Sequence, residues 1–222
     1  MYGDPGLHFA YGGSTMMFYD YYADVPVQAQ DDFVRRQELG RLVTVGTDGQ
    51  PHIGLYPFVF SGDAIEMHLH RNDEQLADLR SNPRCAFEVD EIHGTIPSHW
   101  VHATSAMFAT AFHRVVTFEC DADISEDRDV LAAQQRRLMQ QYQPEGGYRA
   151  VESAEAMYRA PLGTIAALTL SVRARKVKWK LAQNRDRPRR EKVIAELRKR
   201  GRPADAAAAD ALQWALDHEA SK

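Results

Sequence analysis

Between Arg41 and His70 apolar and polar positions alternate with the two-residue period of a strand, in the runs RLVTVGT, PHIGLYPFVF and AIEMHLH. Asp48-Gly49 and Ser61-Gly62-Asp63 separate these runs, and glycine accepts the positive φ that tight turns between antiparallel strands require. An antiparallel meander is therefore predicted. In its third strand Ile65, Met67 and Leu69 share one face and Glu66, His68 and His70 the other, so one side meets a core and the other is polar. Arg84 to Asp90 and Ala111 to Cys120 read as further strands, and Gly163 to Trp179 as one or two more. The total is about six strands, mostly antiparallel.

Elsewhere the period lengthens to that of a helix. Asp31 to Leu39 reads as a short helix with Phe33 and Val34 inward and Gly40 ending it. Asn72 with Gln75 three residues on resembles a capping box, and Leu76 and Leu79 then share a face until Pro83, which predicts a helix over Asp73 to Ser81. Ser125, Glu126 and Asp127 open a longer helix carrying Leu131, Leu138, Met139 and Tyr142. Pro188 starts another with Val193, Ile194 and Leu197, and an alanine-rich helix with Leu212, Trp214 and Leu216 follows Gly201-Arg202-Pro203. Antiparallel sheets of this size remove their edges by rolling up, so the expected fold is mainly β with helices, a small antiparallel β-barrel. Residues 1–30 form an irregular arm in which Tyr2, Tyr11, Tyr19, Tyr21 and Tyr22 cluster; such aromatics need a covering surface, a partner subunit being one. Residues 31–185 are the barrel and 186–222 a helical appendage.

The 222 residues, 44% apolar and 26% charged, suit one folded domain with a small addition and exclude a disordered or disulfide-scaffold chain. With 27 basic against 31 acidic side chains the net charge is −4, which excludes the whole chain as a polyanion binder. From Arg185 to Arg202 nine basic residues face three acidic ones; this stretch could touch nucleic acid, but without interleaved aromatics or a helix-turn-helix frame a solvated helix face is favoured. Cys85 and Cys120 sit singly in apolar patterns, and neither a signal peptide nor a membrane-spanning run is seen, so a reducing cytoplasmic location is expected.

The chemistry concentrates at His70-Arg71-Asn72 before the capped helix. Free backbone N–H groups at a helix start favour an anion, and Arg71 adds a planar cation suited to phosphate; equally, Asn72 could merely cap and Arg71 be solvated. His68 and His70 point the same way on a strand but lack a third ligand, so no metal is expected. His99 and His102 flank Trp100 in an apparent loop. There is no nucleophile elbow, P-loop or dinucleotide fingerprint.

Residues 40–90, with two strands around an Asp-Gly turn, a strand ending in HRN, a helix, Asn82-Pro83-Arg84 and an apolar strand, resemble the FMN-binding split-barrel superfamily that includes pyridoxamine 5′-phosphate oxidase. HRN with EVDEIHGTIPS and FHRVVTFECDADI resembles its nitroimidazole-resistance-like branch, whereas KWKLAQNR resembles the flavin-binding negative transcriptional regulators. The resemblance implies a six-stranded antiparallel split barrel that forms a homodimer, with FMN in a groove between the subunits. It implies Tyr56, Pro57 and Phe58 along the isoalloxazine, and His70, Arg71 and Asn72 at the ribityl and phosphate end. Ser98 and Trp100 fall in a loop beside the flavin, and Lys180, Gln183 and Asn184 in the terminal motif of the dimer and cofactor region. Related oxidases carry an Arg-Lys pair where this chain has Glu74 and Gln75, which leaves Arg71 as the phosphate cation; haem or a deazaflavin are the other ligands such a groove could take. The implied activity is hydride transfer between flavin and a small or planar substrate, with His70 as the catalytic proton donor. The alternative is a non-enzymatic flavin- or haem-binding sensor that regulates transcription.

Overall fold

The computed structural model describes residues 19–219, so Tyr2 and Tyr11 of the expected arm lie outside the described residues. Its centre is one sheet of β1 (Leu39–Val45), β2 (Pro51–Pro57), β3 (Val59–Phe60), β4 (Ala64–His70), β5 (Arg84–Ile96), β6 (Thr110–Ser125) and β7 (Ile165–Lys180). The order is β2-β1-β5-β6-β7-β4-β3, and every pairing is antiparallel. Seven strands stand where about six are expected, and among the described residues no ladder joins the two edges, so the sheet is not closed. The edges β2 and β3 are nonetheless consecutive in the chain, with only Phe58 between them.

Phe58 is the reason the run PHIGLYPFVF divides. Pro57 has no N–H for a ladder, and the Phe58 ring turns into the core, 5.0 Å from Phe87. Its backbone then bonds to side chains of α4 (Arg128–Tyr142): the N–H donates to Tyr142 Oη at 3.0 Å, and the carbonyl accepts from Gln141 Nε2 at 3.1 Å.

The helices depart from expectation in instructive places. The first turns are α1 (Asp20–Ala23) and α2 (Val27–Arg35), so the expected helix ends before Gly40, which lies inside β1. A Cβ there would overlap the Phe87 ring, so Gly40 serves close packing rather than helix termination. The cap of α3 (Glu74–Ser81) is Asp73, not Asn72: the Asp73 carboxylate accepts the Gln75 N–H at 2.9 Å. β5 and β6 run further than expected, to Ile96 and Ser125, and α4 is capped by Asp127. The segment before β7 forms α5 (Ala156–Thr164), which the pattern did not reveal.

The inner face of the sheet carries the core: Leu42, Ile65, Met67, Phe87, Val89, Val116 and Phe118 are fully buried. The core continues without a break into α6 (Arg187–Arg200) and α7 (Asp205–Glu219), whose Val193, Ile194, Leu197 and Leu212 belong to the same cluster. Trp179 joins them, with Trp214 at 4.9 Å and the Arg114 guanidinium 4.6 Å from its ring. A second, smaller cluster of Leu131, Ala132, Val151, Leu162 and Ala167 lies under α4 and α5. On β2 and β1 the opposite face stays bare, with Ile53, Leu55, Leu39 and Val45 exposed.

Candidate functional site

The expected site residues fall into three groups along the sheet. At the β2 end, Tyr56 is half-buried, its hydroxyl 2.8 Å from Gln75 Oε1 and 3.1 Å from the Asp73 carboxylate. Burial and the adjacent Asp73 push this phenol well above its usual range, so it stays protonated and serves as a donor. Gly54 leaves the space in which Tyr56 and Gln75 meet. Gln75 also bonds the carbonyls of Leu42 and His52, which explains its complete burial. Pro57 is exposed and Phe58 buried.

The second group is His70, Arg71 and Asn72 at the end of β4. His70 is exposed, and its Nδ1 accepts the Asn72 N–H at 3.2 Å. In that contact Nδ1 is the acceptor, which leaves Nε2 as the ring N–H. Arg71 is not free. Its Nε donates to the Ile165 carbonyl at 3.1 Å and its Nη1 lies 3.0 Å from the Glu126 carboxylate, which Arg80 also holds at 2.6 Å. His68, the expected neighbour of His70, is covered by α4 instead, with Gln135 Nε2 2.9 Å from its Nδ1; burial keeps it below the usual histidine range and neutral.

The third group is a cleft of about 590 Å³ at the far end of β7. Its lining includes Lys178, Lys180, Asn184 and Arg185 together with Tyr19, Tyr21, Tyr22 and the acidic Asp20. The period of β7 sets Lys178 and Lys180 on one face, and among the described residues neither lysine has a carboxylate partner. Burial, with Lys178 and Arg185 close by, pulls Lys180 below the usual lysine range. Arg185 is likewise lowered by burial, and its guanidinium lies 5.5 Å from the Phe108 ring. Unpaired cations that repel one another are relieved by an anion.

The turn that leads into this cleft is self-braced. Ala182 has φ 66, and Gln183 clamps it by accepting the Leu181 N–H at 2.7 Å and donating to the Trp179 carbonyl at 2.6 Å. Gln183 thus holds the turn while Asn184 lines the cleft. Ser98 and Trp100 form a short 3₁₀ turn on the other side of the Ala109-Thr110 wall. Trp100 is buried there, with the Arg200 guanidinium 4.9 Å from its ring.

Sequence reasoning named Lys180 and Asn184 but not Lys178, Arg185 or the role of the tyrosines. The alternation in KWK, and the unexplained Tyr19 to Tyr22 cluster, were the available signals. Among the described residues no group of three ligating side chains could hold a metal, and no helix is long and apolar enough to cross a membrane.

The model of the family described as Putative FMN-binding domain matches residues 16–174. No curated protein matches the chain. The fold is shared with a conserved hypothetical protein from Mycobacterium tuberculosis at 21% identity and TM-score 0.54, covering 75% of this chain and 91% of that one. It is also shared with a protein from Mycobacterium smegmatis described as binding FAD and heme, at 21% identity and TM-score 0.55 over 76% and 77% of the two chains. A Bacteroides thetaiotaomicron protein described as a putative 5-nitroimidazole antibiotic resistance protein matches at 10% identity and TM-score 0.53, over 68% and 82%.

Proposed function

The chain belongs to this FMN-binding domain family, and on that footing we propose that it is a homodimeric flavoprotein oxidoreductase acting on a small or planar substrate. The observation that carries the reading is the cleft whose lining gathers Lys178, Lys180 and Arg185 with three tyrosines. Its volume, about 590 Å³, falls within the ~300–1,000 Å³ of ordinary ligand sites. The cations suit a phosphate, and the exposed Tyr19 and Tyr21 add aromatic surface beside them.

A second copy of the chain makes the rest of the site intelligible. From β2 to β7 there are four strand spacings, so Pro57 and Lys180 stand on separate parts of the sheet in one protomer. A two-fold operation across the sheet's outer face would bring the Tyr56-Pro57 end of one subunit to the Lys180 end of the other. Exposed Ile53, Leu55, Leu39 and Val45 give that face the apolar surface that an isologous contact buries.

Bound FMN would supply the hydride chemistry. The lysines and Arg185 would hold its phosphate, and a water-poor groove would keep their charges effective. His70, exposed at the end of β4, would be the side chain that delivers a proton to substrate.

The test is the visible spectrum of the purified and FMN-reconstituted protein, followed by anaerobic mixing with NADPH and candidate acceptors. A bound flavin band near roughly 450 nm that bleaches with a donor and returns with an acceptor supports the enzyme. A flavin that no donor bleaches leaves a sensor, and an intense band near roughly 400 nm in place of it identifies haem.

A further inference from the structure

A second cavity, of about 340 Å³, lies at the opposite end of β7 from the basic cleft. Its walls come from Gln135 and Met139 of α4, Tyr148 and Val151 of the following loop, and Leu162 and Ile165 where α5 enters β7. Tyr158 and Pro161 complete them, and no charged side chain lines the cavity. The smaller core cluster, with Leu131, Ala132 and Ala167, forms its floor.

The walls are fixed in place. Arg136 donates to the Val151 carbonyl at 2.6 Å, and Tyr158 Oη donates to the Arg149 carbonyl at 2.6 Å, so the loop from α4 to α5 is tied to both helices. A preformed cavity of this kind binds without first ordering a loop. Gln135 is the polar handle: its Nε2 is engaged by His68 at 2.9 Å, and its Oε1 has no protein partner among the described residues.

We propose that this cavity is a binding site for a neutral aromatic molecule of one or two rings that carries a hydrogen-bond donor for Gln135. An apolar cavity of about 150 Å³ suffices for benzene, so this one takes a bicyclic ring with room for a substituent. The uncharged lining excludes a phosphorylated ligand, since a buried anion without a partner is strongly disfavoured. The flexible thioether of Met139 adapts to a ring face. This site stands apart from the flavin reading.

Indole is the probe. The full chain is labelled with ¹³C at its methionine methyls, and Met139→Leu assigns the Met139 signal. The expected result is a saturable shift of the Met139 methyl on titration with indole, with Met67 in the main core and exposed Met107 unmoved. Ile165→Trp, which plugs the cavity from a partly exposed strand position, should weaken indole binding by about tenfold or more. No shift, or a non-saturating shift shared by Met139 and Met107, overturns the proposal in the unsubstituted chain whatever becomes of the variant. None of these readouts involves a flavin, so their failure is distinct from failure of the oxidoreductase reading.

Discussion

Glu126→Gln discriminates between two places for the flavin phosphate. In the free chain the Glu126 carboxylate occupies Arg71 at 3.0 Å and Arg80 at 2.6 Å. If phosphate is to reach Arg71, that carboxylate must leave. The side chains are 33%, 43% and 46% exposed, so each ion pair is worth only ~0.2–1 kcal/mol in water. Glutamine keeps the shape and removes the competing charge, so a phosphate at Arg71 would make FMN bind about 2- to 5-fold tighter, whereas one held in the lysine cleft would leave affinity unchanged. The gain should shrink as salt screens the pair. Arg71→Ala removes the charge-assisted partner itself and, with the phosphate at Arg71, would weaken binding by ~1–3 kcal/mol. Calorimetric titration with FMN at two salt concentrations measures both. Unchanged affinity in both variants would refute an Arg71 phosphate site and leave the Lys178, Lys180 and Arg185 cleft as its place.

Other perturbations follow from the same geometry. Lys180→Ala should weaken FMN binding by about 1–3 kcal/mol, with a smaller salt slope than the parent; an unaltered titration would remove the cleft from the site. Leu55→Glu, on the bare outer face, should yield monomers in sedimentation velocity and lose flavin in parallel, and a flavin-loaded monomer would break the link between dimer and cofactor. His52 is raised above the usual histidine range by its hydrogen bond to Asp78, so the stability it contributes is complete below about pH 6.5 and lost as pH rises through the folded value. Urea midpoints of the parent and His52→Ala should therefore converge toward high pH, and a constant gap would contradict this. Gln183→Ala strips the Leu181 N–H and Trp179 carbonyl of their partners and should cost about 1–3 kcal/mol in urea unfolding, where an effect below about 0.5 would deny the clamp.

What the sequence disclosed follows from where local pattern suffices. The alternation in AIEMHLH placed Ile65, Met67 and Leu69 inward, and the structure buries all three. Proline at 188 and Gly201 marked α6, which ends at a left-handed Gly201. Phe58 was not legible as a break, because its departure from the ladder depends on Tyr142 and Gln141 from a distant helix. The same holds for Arg71: nothing in HRN announces that Glu126, fifty-five residues on, will hold the guanidinium. Asp73 displaced Asn72 as the cap because either side chain can accept the N–H two residues on, and geometry rather than composition chose between them. Helix α5 escaped notice because Pro161 lies inside it; it is held by packing of Leu162 on the small core.

The packing of the sheet explains why a cofactor would lie between subunits rather than inside the fold. Phe87, Phe118, Met67, Ile65 and Leu42 fill the inner face to complete burial, and a ring system could enter there only by displacing them, at ~2–5 kcal/mol for each large side chain lost. What remains open is the outer face and its margins. At one margin Phe58 leaves the ladder and exposes Pro57; at the other, Lys178 and Lys180 face outward and the chain turns sharply at Ala182. That turn holds a non-glycine residue at φ 66, a conformation costing on the order of 1 kcal/mol or more, and it persists because Gln183 bonds both ends of it and the Ala182 methyl is buried. A looser turn would leave Asn184 and Arg185 to wander, and the repulsion between Arg185 and Lys180 would drive those two apart. The strain is thus what keeps several positive charges gathered at one edge of a bare sheet, in advance of any anion arriving to neutralise them.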